Sequence, residues 1–223
     1  MTLYFTQMRL CRTPSARALA SLISPTDQAA RIDAHHKLIW AAFTDGAERS
    51  RDFLWREEAD GSFLALSKRP PVQMELFDPF VTKPFAPSLT MGETLAFALR
   101  ANATRTKRGA GRVDVVMDAL HTIPKDGRAA ARPQIAQTEA AAWLGRQGAS
   151  AGFTLQALTG ADYTTLALPD YRGPRKGQPQ FGILDLTGTL TVTNPSAFLA
   201  QLGCGFGRAK AFGCGLMLIR RAR

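Results

Sequence analysis

Eleven residues near the C-terminus, Gly205-Phe206-Gly207-Arg208-Ala209-Lys210-Ala211-Phe212-Gly213-Cys214-Gly215, carry the densest chemical signal in the chain. Two glycine–apolar–glycine triplets frame five residues that hold two cations. Glycine permits backbone conformations and close approaches that a β-carbon forbids. Cations beside free backbone amides favour an anion. A dinucleotide or P-loop site needs strand, loop and helix in that order, with the helix N-terminus facing the phosphate. Here the predicted helix, residues 195–202 capped by Asn194, precedes the loop, and the predicted strand, residues 216–219, follows it. Gly-Lys-Ser/Thr is missing as well. These features argue against a nucleotide cofactor and for a phosphate backbone as the ligand. The competing reading is a flexible turn with an incidental lysine.

Proton transfer near neutral pH calls for histidine, whose unperturbed pKa is about 6.5. The chain has three: His35, His36 and His121. A helical wheel places His36 beside Ile32 and Trp40 on the apolar arc, and taken alone this reads as a buried structural histidine. His121 falls in a basic stretch and reads as solvated.

The elements around these residues follow from pattern. Residues 3–11 alternate as a strand. Residues 24–27 open a helix that reaches Phe43, with Ile32, Ile39 and Phe43 on one face. Residues 51–56 and 63–67 read as a hairpin joined by Ala59-Asp60-Gly61. The proline-studded stretch 70–87 cannot form a regular helix and reads as a crossing between units. The pattern then restarts with a strand at 94–100, a basic glycine-containing loop and a helix at 138–146. Short strands at 153–155 and 164–168 follow, then a long alternating stretch at 181–192, the helix at 195–202 and the strand at 216–219. The second half thus runs β-α-β-β-α-β, a ferredoxin-like order. The first half runs β-α-β-β, with its second helix eroded. An α+β chain of two tandem ferredoxin-like, RNA-recognition-like domains, residues 1–90 and 91–223, is the predicted architecture.

Length and composition bound the rest. At 223 residues the chain can bury a sizeable core. Without a run of about 18 apolar residues, no membrane span is expected. The first residues lack a charged n-region and an apolar h-region, so a cytoplasmic location is expected. Three cysteines without Cys-x-x-Cys pairing fit a reducing compartment and no zinc site. The net charge of +10 is unevenly placed. Residues 1–99 sum to zero, 100–132 to +5, 133–171 to −2 and 172–223 to +7. Such clustering suits a polyanion groove, whereas the alternative is a surface kept soluble by arginine. Arginine outnumbers lysine, which favours bidentate phosphate contacts. The segment Asp170-Tyr171-Arg172-Gly173-Pro174-Arg175-Lys176-Gly177-Gln178-Pro179 reads as a basic loop projecting from a sheet, shaped to straddle a nucleic-acid groove.

The glycine loop, Arg51-Asp52-Phe53-Leu54-Trp55-Arg56, Lys83-Pro84-Phe85-Ala86-Pro87, Phe97-Ala98-Leu99-Arg100-Ala101-Asn102 and Glu139-Ala140-Ala141-Ala142-Trp143-Leu144 together resemble the CasE family. These are CRISPR RNA endoribonucleases of the Cascade complex, and the likeness runs in order through essentially the whole chain. It implies two tandem ferredoxin-like domains that bind a CRISPR repeat RNA hairpin and cut once at the 3′ base of its stem. The reaction needs no metal or other cofactor and leaves a 2′,3′-cyclic phosphate and a 5′-hydroxyl. The enzyme then stays on the hairpin beside other Cascade subunits.

The resemblance also assigns residues. The family's catalytic histidine precedes an aromatic turn in the first helix. Aligned on Trp40 and Phe43 it falls on His36, against the structural reading that the wheel favours. His35 is the neighbour one place off. Family members carry a tyrosine three residues before that histidine, where this chain has Asp33, so the tyrosine's role is not carried over. Lys37, or a cation of the second domain, would stabilise charge on the phosphorane. RNA contacts are expected from Arg172, Arg175 and Lys176 on the projecting loop and from Arg208 and Lys210 in the loop framed by Gly205, Gly207, Gly213 and Gly215. Arg105, Lys107, Arg108 and Arg112, after Asn102, complete the expected set. The alternative function is a catalytically silent subunit that binds an RNA hairpin. A generic RNA-recognition protein is weaker, because the aromatics that such sheets need are not recognisable.

Overall fold

The computed structural model describes residues 2–44, 51–109, 111–167 and 180–222. Two compact units emerge, one built on Met1–Pro87 with Lys210–Gly213, the other on Ser88–Leu166, Phe181–Ala209 and Cys214–Arg223.

The first unit opens with β1 (Leu3–Met8). Two short helices follow, α1 (Pro14–Ala18) and α2 (Ala20–Ile23). The long helix α3 (Gln28–Phe43) begins at Asp27, whose carboxylate accepts the Ala30 N–H at 2.8 Å. Its buried residues are Ile32, His35, Ile39, Ala42 and Phe43, a helical stripe that faces the core. The hairpin of β2 (Phe53–Glu57) and β3 (Phe63–Ser67) follows, and then β4 (Val81–Phe85). The sheet order is β2-β3-β1-β4, with antiparallel neighbours, as in a ferredoxin-like unit. Phe43 stacks on Phe53 with ring centroids 4.3 Å apart, and Met8, Trp55, Phe63 and Phe77 close the core around them.

One expectation for this unit is corrected. The stretch at 70–87 is not merely a crossing, because Val81–Phe85 pairs with β1 as an edge strand. Pro84 is tolerated there because an edge strand has one side without a partner. The second helix is indeed missing, and Phe77, 4% exposed, fills core space from the irregular stretch that stands in its place.

The second unit contains β5 (Thr94–Ala101), the small hairpin β6 (Thr104–Lys107) and β7 (Gly111–Asp114), and the short helix α4 (Val115–Leu120). Next come α5 (Arg128–Ala151), β8 (Phe153–Ala167), β9 (Gln180–Val192), α6 (Pro195–Cys204) and β10 (Met217–Arg221). The main sheet runs β10-β5-β9-β8, the same order as the first sheet with β5, β8, β9 and β10 as its four strands. Both units are therefore ferredoxin-like, in tandem.

Three boundaries differ from the sequence expectation. The basic loop after Asn102 is a hairpin and a helix, with Asp114 capping α4 through Val116 and Met117, both at 3.0 Å. The helix expected at 138–146 extends to 24 residues and includes Pro133. Proline there loses one backbone hydrogen bond, which the remaining turns outweigh. The two short strands at 153–155 and 164–168 are one strand of 15 residues. Its Gly160 lies so close to β9 that a Cβ would sit 2.7 Å from Thr187 Oγ1. Among the described residues no helix is long and apolar enough to cross a membrane.

Candidate functional site

On α3 the two adjacent histidines part company. His35 turns into the core, 1% exposed, and its Nδ1 pairs with Glu57 Oε2 at 3.1 Å. Its ring meets Phe63 edge-on at 4.8 Å. His36 is half-buried at the edge of that face. Its ring lies 6.2 Å from Trp40 and 5.8 Å from Phe212. The wheel gave the structural role to His36, but in the folded unit His35 takes it, and His36 is partly accessible.

Phe212 reaches His36 from the glycine loop. α6 ends at Gly205, and all four framing glycines take positive φ: 76° at Gly205, 73° at Gly207, 74° at Gly213 and 97° at Gly215. Between them the chain makes a 3-10 turn, Lys210–Phe212, that packs against α3 and β2 within the first unit. Trp55 holds this turn. Its Nε1–H donates to the Ala211 carbonyl at 3.2 Å, and Gly213 lies over its ring, where a Cβ would stand 3.5 Å away. The residues before and after the turn belong to the second unit. There Phe206 N–H donates to Gly215 O at 2.9 Å, and Arg208 N–H donates to Asn102 O at 3.1 Å.

The electrostatics around His36 favour its neutral form. Burial holds its pKa below the ordinary 6.5, and the Arg51 guanidinium pushes the same way. Asp33 and the Ala211 backbone pull it up, and Lys37 adds a smaller downward push. Arg51 lies over the Trp40 and Phe53 rings at 5.3 and 5.5 Å. Lys37, one residue beyond His36, pairs with Asp33 at 2.7 Å and keeps a largely exposed side chain. A neutral imidazole flanked by two cations can accept a proton beside a developing negative charge.

The other sequence-selected cations divide. Arg105 and Lys107 are tied into the fold: Arg105 pairs with Asp118 and, at 3.1 Å, with Glu139, while Lys107 pairs with Asp118 at 2.7 Å. Arg108 is exposed at the tip of the β6–β7 hairpin, and Arg112 and Arg208 are exposed in the second unit. Lys210 stands at the start of the 3-10 turn. Arg172, Arg175 and Lys176 lie outside the described residues. His121 is the C-cap of α4.

Sequence reasoning did not single out Arg51, Trp55 or Phe212 as site residues. Their signal was present, since Arg51 and Trp55 belong to one of the segments of family resemblance and Phe212 to the glycine loop. What local pattern lacks is the 156-residue separation that brings Trp55 to Ala211.

Comparison with known proteins agrees with this fold. A curated relative, the CRISPR system Cascade subunit CasE of Escherichia coli (strain K12), is 26% identical over 189 residues, covering 82% of this chain and 88% of that protein. A solved structure of the CRISPR endoribonuclease Cse3 bound to a 19-nucleotide RNA superposes with a TM-score of 0.69. It is 24% identical and covers 98% of this chain and 99% of that one. The CRISPR-associated protein Cas6e from Escherichia coli str. K-12 gives a TM-score of 0.57 at 21% identity, over 98% and 100% of the two chains. At these identities the superpositions establish the tandem ferredoxin-like fold. The family model described as CRISPR associated protein matches residues 3–221, in keeping with the CasE resemblance read from the sequence, and the chain belongs to that family.

Proposed function

We propose that this protein is a metal-independent endoribonuclease that cuts CRISPR repeat stem-loops in precursor RNA and remains on the 3′ hairpin within a Cascade complex. The observation that carries the proposal is His36, a half-buried imidazole biased toward its neutral form and set against the cation-bearing turn of the glycine loop. The relatives named for endoribonuclease activity and for Cascade support the same reading.

In the proposed reaction His36 takes the proton of the 2′-hydroxyl upstream of the cut. The 2′-oxygen attacks the adjacent phosphorus, the bond to the 5′-oxygen breaks, that oxygen takes up a proton from solvent, and His36 returns to solvent the one it took. The products are a 2′,3′-cyclic phosphate and a 5′-hydroxyl. Lys37 and Arg51 supply positive charge near the phosphorane. The RNA brings its own nucleophile, so the protein's task is to orient the linkage and move protons. A repeat transcript from the protein's own locus, incubated with purified protein, is expected to yield these ends with or without EDTA. A 2′-deoxy substitution just upstream of the cut is expected to abolish cleavage and spare binding. Inhibition by chelator would overturn the metal-independent route.

A second reading, a silent hairpin-binding subunit, is favoured by Asp33, which pairs with Lys37 where family members place a tyrosine. On that reading the wild-type protein binds the transcript and leaves it whole.

A further inference from the structure

Strand geometry sorts the basic residues of the β6–β7 hairpin into two groups. Successive side chains of a strand point to opposite faces. On β6, Arg105 points toward the carboxylates of Asp118 and Glu139, and Lys107 toward that of Asp118. Thr104 and Thr106 take the other face, and Arg112 shares it because it stands opposite Thr106 in the antiparallel register. Asp114, opposite Thr104, is directed elsewhere: its Oδ1 accepts from the first turn of α4 and from the Tyr163 hydroxyl at 3.1 Å.

That second face walls a groove of about 310 Å³ within the second unit, lined by Thr104, Thr106, Arg112, Gln147 and Arg208, with Trp143 and the glycine backbone also on its walls. Arg208 is located by its own backbone, which bridges to Asn102, while Gly207 is pressed so close that a Cβ would stand 2.7 Å from the Asn102 carbonyl. The two guanidiniums thus come from separate segments, and among the described residues no acidic side chain lines the groove. Two arginines, two threonine hydroxyls and a glutamine amide supply hydrogen-bond donors, in the combination that a phosphodiester oxygen accepts. Arg105 and Lys107, each held by carboxylates, lack that setting.

We infer that this groove is a discrete phosphate subsite, in which Arg112 and Arg208 jointly hold the backbone of an RNA strand. The inference rests on the RNA-processing function proposed above and deepens it: one subsite of the second unit carries affinity, while His36 of the first unit carries chemistry.

Fluorescence anisotropy with the repeat hairpin from the protein's own locus, repeated over a range of salt, tests this. Arg112→Gln and Arg208→Gln are each expected to weaken binding by roughly 3- to 10-fold. The double variant is expected to reduce the slope of log K against log salt by about 2, one for each phosphate that is no longer neutralised. The double lysine variant keeps the slope, because it keeps both charges. Arg220→Gln, an exposed arginine on β10 outside the groove, is expected to leave the slope as in the wild type. An unchanged slope in the double glutamine variant, or an equal loss in Arg220→Gln, overturns the subsite while leaving the function standing. A wild-type protein that neither binds nor cuts the hairpin overturns the function itself.

Discussion

At the scale of single residues, His36 and His35 show how two neighbours acquire different chemistry. His35 is locked by Glu57 and Phe63, and His36 is held below its ordinary pKa by burial and by Arg51. If His36 acts as a base, its neutral form is the active one. The kcat/KM of cleavage is then expected to rise with pH, with its acidic limb below the unperturbed 6.5, and to level off above. Asp33 raises the His36 pKa and Arg51 lowers it. Asp33→Asn is therefore expected to move the acidic limb to lower pH, and Arg51→Gln to move it to higher pH. Profiles that shift in the opposite directions would remove His36 from the role of base. His36→Ala is expected to reduce cleavage by at least about 10²-fold, the low end for a general base, while hairpin affinity stays near the wild-type value. The depressed pKa also links to stability: a histidine favoured as neutral in the folded state contributes stability above pH 6.5 that is lost as pH falls through its lowered folded value.

At the scale of elements, the catalytic candidate depends on a helix and a loop that can each be probed. α3 is anchored by the Asp27 cap, and Asp27→Ala is expected to cost about 1 kcal/mol in a denaturant melt. The glycine loop is more sensitive at Gly207, where a positive φ and the Asn102 carbonyl act together. Gly207→Ala is expected to cost roughly 1–3 kcal/mol, the scale of a strained backbone position. Gly109, at the hairpin turn, has the same sign of φ and open space around it. Gly109→Ala therefore carries only the conformational penalty, about 1–2 kcal/mol or less. Equal midpoints for the two variants would mean that the close approach at Gly207 is not a constraint.

The element scale also shows where local pattern misled. Val81–Phe85 is hidden by Pro84 and the prolines that flank it, yet an edge strand accepts Pro84. Residues 153–167 read as two strands because the small residues Gly160 and Ala161 interrupt the apolar rhythm, but tight packing on β9 requires a small residue at Gly160.

At the scale of the whole molecule, charge is the controlling quantity. The +10 excess predicts a salt-sensitive association with RNA, but not every cation contributes. Arg105 and Lys107 already neutralise Asp118 and Glu139, so about six phosphates are expected to be neutralised, the lower end of the range that a cluster this size suggests. Hairpin affinity is then expected to fall by about 10³ between about 50 and 200 mM salt. A flat response would mean that the basic blocks serve solubility alone.

Much of this molecule follows from short-range order in its sequence. The ferredoxin-like succession of elements is written in apolar alternation, helical stripes and caps such as Asp27 and Asn194, because backbone preferences act over a few residues. The positive φ at the four framing glycines was legible for the same reason. The tertiary structure alone showed that His35 is buried in the core and His36 is partly accessible, because adjacent helical residues differ by only about 100° in direction and either can border an apolar stripe. It alone separated Arg112 and Arg208 from Arg105 and Lys107, since a cation's availability is decided by carboxylates that lie 11 to 34 residues away in the chain. Local pattern sets which way a side chain points, and only packing sets what it meets.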